Sequence, residues 1–251
     1  VLMRRLSQDA NYITYVHDEF VRNDTVFASA GYQGLHVFKL NPGPNNFTPL
    51  GSLTSYSFSG YNHSSALTPN GQTLVFMDEV PAGLPIKVAN VSNLSNIQVL
   101  ATCNQYTQTT PHNPFIVNNQ YCFVAAYRDG TQMWDISNPS APFLAGYFDT
   151  YPQFGGNNNN WGGSAYDGQW GCYPFFQSRN IFALDEYNGI FMFRSHLYAQ
   201  PDINVQGNSM DITDGSIVTS TVNNTQYGTV NIGNSLTKNF VIQNSGLATL
   251  S

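Results

Sequence analysis

A unit of about 47 residues recurs along this 251-residue chain, and nothing else in the sequence restricts its fold as much. The clearest copy spans 112–150, HNPFIVNNQYCFVAAYRDGTQMWDISNPSAPFLAGYFDT. It opens with His112. Apolar runs follow at 114–118 and 121–127, the turn Asp129-Gly130 leads to a run at 131–136, Ser137-Asn138-Pro139 breaks the chain, and 143–148 closes the unit. β-Branched and aromatic residues fill the runs while Gly, Pro, Asn and Ser fill the breaks, the pattern of four strands joined by turns.

The same order of His, run, turn, run, Gly, run begins at His17 (to Gly34) and His63 (to Gly83), and at Cys172 (to Gly189), where Cys takes the place of His. From the leading residue to the Gly the separations are 17, 20, 18 and 17; from Gly to Gly they are 49, 47 and 59. The longest interval holds a Gly- and Asn-rich insertion at 153–171. Four strands per repeat at this period predict an all-β fold, a β-propeller with four or more four-stranded blades. No 3.6-residue periodicity competes with it. Residues 6–16 read as the end of a preceding blade. A propeller hides its edges by closing, so further blades are expected outside this stretch. The propeller is assigned to 1–197 and a linker to 198–202. Residues 203–251 change character, with alternating runs at 205–206, 226–230 and 236–243, and are expected to be the first part of an immunoglobulin-like sandwich.

Composition narrows the function. Only 10% of residues are charged, the formal net charge is −6, and nine Lys and Arg form no basic patch, so nucleic-acid binding is excluded for want of clustered cations. No apolar run is long enough to span a membrane. Three cysteines, 103, 122 and 172, form no metal motif, and Cys122 reads as a small buried hydrophobe.

The repeat also predicts a site. The first strand of a blade lies nearest the central channel, so His17, His63 and His112 are expected at one mouth of it, with Cys172 in the fourth equivalent place. The second strand returns to the same face, bringing Asp78, Glu79, Asp129, Asp185 and Glu186. Two readings compete. Imidazoles and carboxylates are ligands for zinc and similar ions, and His17, His63 and His112 would hold any such metal. Alternatively each His bonds a neighbouring blade and locks the ring, which a spacing equal to the repeat favours. The Asp–Glu pairs raise glycoside hydrolysis, against which stands their recurrence at equivalent positions. No P-loop, G-x-S-x-G or H-E-x-x-H occurs, so no cofactor is expected beyond a divalent metal. Around the insertion, Trp161, Tyr166 and Trp170 are candidates for an aromatic binding surface.

Four stretches carry a family likeness: Tyr61-NHSSALTPNGQTLVFMDE, Pro111-HNPFIVNNQYCFVAAYRDG, Gly130-TQMWDISNPSAPFLAGYFDTYP and Trp170-GCYPFFQSRNIFALDEYNGIFMF. Across roughly 11–195 the chain resembles the LVIVD-repeat proteins of the choice-of-anchor B type, bacterial surface or secreted proteins. The stretch from Gly207 resembles the start of a choice-of-anchor D domain, an immunoglobulin-like fold related to the ASPM/SPD-2/hydin group. Such pairs are typical of Bacteroidota cargo of the type IX secretion system. The resemblance implies a secreted or cell-surface binding or adhesion protein, without catalysis, that meets protein or glycan outside the cell and the secretion machinery during export. A metal-dependent or glycan-active enzyme using the His/carboxylate face is the alternative.

Overall fold

The computed structural model describes residues 4–104, 108–154, 164–197 and 203–244. They fall into two compact units that divide between Arg194 and Ser195. In the first, three four-stranded antiparallel sheets and one three-stranded sheet follow one another, each in simple sequential order. Blade 1 holds β1 (Asp18–Arg22), β2 (Thr25–Ser29), β3 (Leu35–Asn41) and β4 (Asn46–Leu53). Blade 2 holds β5 (Asn62–Leu67), β6 (Thr73–Asp78), β7 (Ile86–Asn90) and β8 (Gln98–Cys103). Blade 3 holds β9 (Asn113–Ile116), β10 (Tyr121–Ala125), β11 (Thr131–Asp135) and β12 (Phe143–Phe148). Blade 4 holds β13 (Gln169–Tyr173), β14 (Ile181–Asp185) and β15 (Gly189–Phe193). The first strand of each blade neighbours the first strand of the next, as a propeller requires. The expectation of an all-β propeller holds. The fourth blade has three strands among the described residues, and 198–202 lie outside them.

Local chemistry explains the blades. Asn23 and Asp24 both take positive φ, the type I′ geometry that lets a two-residue turn match the strand twist and that Asn and Asp tolerate best. The repeat's shared glycine also has a cause. Gly34 (φ +82) and Gly130 (φ +69) sit where a Cβ would come within 2.7 and 2.3 Å of the carbonyl oxygens of Leu53 and Phe148. Asp135 ends β11 by accepting from the backbone N–H and hydroxyl of Ser137, an Asx turn built from the D-I-S sequence.

Alternate residues of each middle strand face alternate neighbours. Leu74 and Phe76 join Phe27, Leu35 and Val37 between blades 1 and 2. Val75 and Met77 join Cys122, Val124 and Trp134 between blades 2 and 3. All of these are buried, each worth about 1.5–3 kcal/mol for the larger side chains. Cys122 is buried as expected, and all three cysteines are free thiols. On β14, Ile181 and Ala183 are fully buried while Phe182 and Leu184 are 38% and 47% exposed; with Ile190 and Met192 of β15 they form an apolar face on the outer side of blade 4.

Residues 6–16 contain no strand. They hold a single 3-10 turn (Leu6–Gln8), and Ala10 and Ile13 lie against Ala28, Ala30 and Phe38, covering the outer face of blade 1. Arg4 and Asp9 pair across this strap, and Asp9 also accepts from the Phe47 backbone N–H. The strap has apolar residues for one face but no antiparallel partner for a ladder.

The second unit has one small sheet, β16 (Ile203–Gly207) between β17 (Met210–Asp211) and β18 (Val241–Asn244). The run at 226–230 is not a strand, and the run at 236–243 becomes one only from Val241. No second layer covers them among the described residues, and Ile217 and Ile232 are fully open to solvent. No helix among the described residues is long and apolar enough to cross a membrane.

Candidate functional site

Each blade contributes one ring to a column at the start of its innermost strand. His17 lies 4.3 Å from His63 between ring centroids, His63 lies 4.4 Å from His112, and His112 lies 4.7 Å from Trp170. The repeat's prediction that the three histidines gather is therefore met in space, but the fourth place belongs to Trp170. Cys172 pairs with Ala183 within the sheet and is buried.

Strand register explains the exchange. In β5, Asn62 pairs with Asp78 and Ser64 with Met77, so His63 is one extra residue, a β-bulge. In β13, Gln169 pairs with Asp185 and Gly171 with Leu184, so Trp170 is the extra residue at the same place. A bulge re-aims its side chain out of the alternating pattern. His17 and His112 instead sit one residue ahead of β1 and β9, where their N–H groups donate to the carbonyls of Ser29 and Ala125. Below the column, the residues that follow the histidines (Asp18, Ser64 and Asn113) line a cleft of about 450 Å³ with Phe20, Ala66 and Ile116.

Glu79 is the carboxylate that joins the histidines. Its Oε2 lies 3.7 Å from Nε2 of His63 and its Oε1 lies 3.8 Å from Nε2 of His112. Tyr127, buried, donates its hydroxyl to Glu79 Oε1 at 2.6 Å, which together with burial drives the phenol's pKa up. The Nδ1 of His112 lies 2.7 Å from the carbonyl of Trp170. A carbonyl only accepts, so Nδ1 carries the proton and Nε2 keeps its lone pair. That Nε2 is buried without a hydrogen-bond partner. Burial, then the neighbouring His112 and His17, pushes the His63 pKa down to about 3, and burial lowers that of His112. His17 is placed differently: its Nδ1 meets the hydroxyls of Tyr15 and Tyr61, each at 3.2 Å.

The other predicted carboxylates serve the fold. Asp78 accepts from the Tyr56 hydroxyl and the Gly60 N–H and lies 2.7 Å from Nζ of Lys87, both partners being buried. Burial lowers the pKa of Lys87. Asp129 accepts from Gln132 Nε2 at 2.6 Å, with Oδ1 unpaired and its pKa pushed up to about 7 by burial. Asp185 accepts from the Thr150 hydroxyl and the N–H groups of Tyr187 and Asn188. Glu186 is exposed. Within each Asp–Glu pair the Asp is engaged by the fold, so neither pair presents two free carboxylates to one space.

Around the column lies an aromatic surface of which sequence reasoning named Tyr166 and Trp170 and passed over Tyr15, Tyr32 and Tyr61. Tyr15, Tyr32 and Tyr61 form a chain of ring contacts leading to His17, and Tyr166 packs on Tyr127. Tyr166 also donates to the backbone oxygen of Glu79. Tyr15, Tyr32 and Trp170 are 51%, 75% and 47% exposed. The available signal was Tyr-x-His, present at both Tyr15–His17 and Tyr61–His63. Lys87 was legible as a lone cation within an apolar strand. Trp161 lies outside the described residues.

No protein-family profile matches the chain, and no curated protein does. Solved β-propellers do. A β-propeller domain of Myceliophteria thermophila Cps50 (Swd1) is similar with 13% identity and a TM-score of 0.50, over 72% of this chain and 54% of that one. The WD40 β-propeller domain of Doa1 is similar with 10% identity and a TM-score of 0.48, over 72% and 51%. The chain thus spans about half the length of these solved structures. At 13% identity the likeness to the Cps50 domain speaks for the propeller fold alone.

Proposed function

We propose that this chain is part of a non-catalytic binding protein, displayed on or secreted from the cell, whose first unit docks a protein partner through the tyrosine surface around the His column. One observation carries the reading: the unbroken series of ring contacts Tyr32–Tyr61–His17–His63–His112–Trp170, exposed at both ends. Tyr and Trp offer large, rigid, amphipathic contact area at low entropic cost, and they dominate interface hot spots. Export rests on the resemblance to LVIVD-repeat, choice-of-anchor B proteins and on a second unit resembling choice-of-anchor D. In that setting the second unit is an immunoglobulin-like spacer and the protein a type IX secretion cargo of Bacteroidota. Surface plasmon resonance of the whole chain against purified surface proteins of the source cell tests it. Tyr32→Ala and Trp170→Ala should each weaken capture at least about 30-fold, the size of a 2 kcal/mol hot spot. Retention of full affinity in both variants refutes the surface. Capture on an oligosaccharide array, lost in the same variants, would move the ligand class from protein to glycan.

A further inference from the structure

From the convergence of His63 Nε2, His112 Nε2 and the Glu79 carboxylate, we infer that the His column holds a divalent transition-metal site of the zinc class. The three ligand atoms all lie within 4.8 Å of one another. The three come from two blades, so an ion there would tie blade 2 to blade 3.

Hydrogen bonding alone leaves this cluster unexplained. Spacings of 3.7 and 3.8 Å are too long for N–H···O bonds. The Trp170 carbonyl, 2.7 Å away, takes the Nδ1 proton of His112, so Nε2 is the ring atom turned toward the Glu79 carboxylate, buried and without a hydrogen-bond partner. A buried lone pair without a donor is costly, and His112 is 1% exposed. A cation between these atoms resolves the arrangement. Zinc bonds of about 2.0–2.2 Å at tetrahedral angles place neighbouring ligand atoms about 3.3–3.6 Å apart. The His–Glu spacings of 3.7 and 3.8 Å need a few tenths of an ångström of contraction, and the full set, which spans no more than 4.8 Å, closes with a movement of up to about 1.5 Å, within reach of side-chain rotation.

The surroundings are those of a metal site. His112 donates Nδ1–H to a backbone carbonyl, and Glu79 accepts from the Tyr127 hydroxyl, so two of the three ligands are oriented from behind. Two His and one Glu leave the fourth position of a tetrahedral ion to water or an exogenous ligand. His17 stands outside the set, because among the described residues only His63, Glu79 and His112 bring ligand atoms within 4.8 Å of one another. The site is independent of whether the tyrosine surface docks a partner.

The test uses the untagged whole chain, stripped with chelator and dialysed against zinc chloride. Plasma mass spectrometry should find one zinc per chain, and cobalt(II) in its place should give the intense visible absorption of tetrahedral coordination. His112→Ala and Glu79→Gln should each weaken zinc binding by more than about 100-fold, Tyr127→Phe by about tenfold, and His17→Ala by less than about threefold. Glu79→Gln keeps the volume and the acceptor for Tyr127, so it reports even where the His variant does not fold. A folded chain that takes up no zinc, or one whose zinc affinity is unchanged in Glu79→Gln, overturns the site. A loss at His17→Ala equal to that at His112→Ala overturns the ligand set.

Discussion

Asp129→Asn isolates one buried charge in blade 3. Asp129 has no exposed surface; its Oδ2 accepts from Gln132, its Oδ1 has no partner, and Asp149 adds like-charge repulsion. The carboxyl's pKa is raised to about 7, chiefly by burial, from an unfolded value of about 3.9. Between those values the folded chain holds a proton that the unfolded chain has lost. Stability therefore falls as pH rises, by about 1.4 kcal/mol per pH unit, and the loss is complete above the folded pKa. From pH 5 to pH 8 this group alone should cost about 2.6 kcal/mol. Asn keeps the acceptor for Gln132 and cannot ionise, so that part of the pH dependence should vanish. Urea denaturation of the first unit's transition at both pH values, in wild type and variant, gives the difference directly. The variant should be the more stable chain at pH 8 and close to wild type at pH 4. Parallel loss of stability in both chains between pH 5 and 8 would show that Asp129 ionises normally and that burial is not the controlling effect.

Lys87→Met leaves Asp78 charged and unpaired in the interior and should cost about 3–5 kcal/mol by denaturant titration, part of it regained in the double variant with Asp78→Asn. Gly130→Ala forces a positive φ and a Cβ against the Phe148 carbonyl, so it should cost about 1–3 kcal/mol from backbone strain before any steric shift; the midpoint of thermal unfolding checks it. Ile190→Ser on the outer face of blade 4, 71% exposed, should change stability by less than about 0.5 kcal/mol in the same assay.

The propeller was legible because its punctuation has strict physical causes. Gly130 and Gly34 occupy a left-handed corner beside a carbonyl, and Asp135 closes a strand by an Asx turn, so these residues recur at fixed spacing. The gathering of His17, His63 and His112 followed from that period. The fourth member did not, because counting residues back from Gly189 sees neither the extra residue in β13 nor the longer connection to β14, which together move the place from Cys172 to Trp170. Choosing among Asp78, Glu79, Asp129, Asp185 and Glu186 also lay beyond pattern. Asp78 is claimed by Lys87 and Tyr56, a partnership set by tertiary packing, while the next residue, Glu79, meets the histidines. Neither the strap at 6–16 nor the tail at 226–240 forms a strand among the described residues. Alternation describes which face could be buried, whereas a strand needs a ladder partner.

The bulge at His63 and Trp170 has a consequence for how such a ring changes over time. Every regular position of β5 answers to one face or the other, so substitution there is screened by packing against a neighbouring blade. The inserted residue belongs to neither face. It is held by backbone geometry, and its side chain packs against the rings of the column rather than within the apolar cores between blades. An imidazole stands there in one blade and an indole in another. The scaffold thus separates the residues that interdigitate between blades from the bulged ones, and it turns His63 and Trp170, on either side of His112, into a single column.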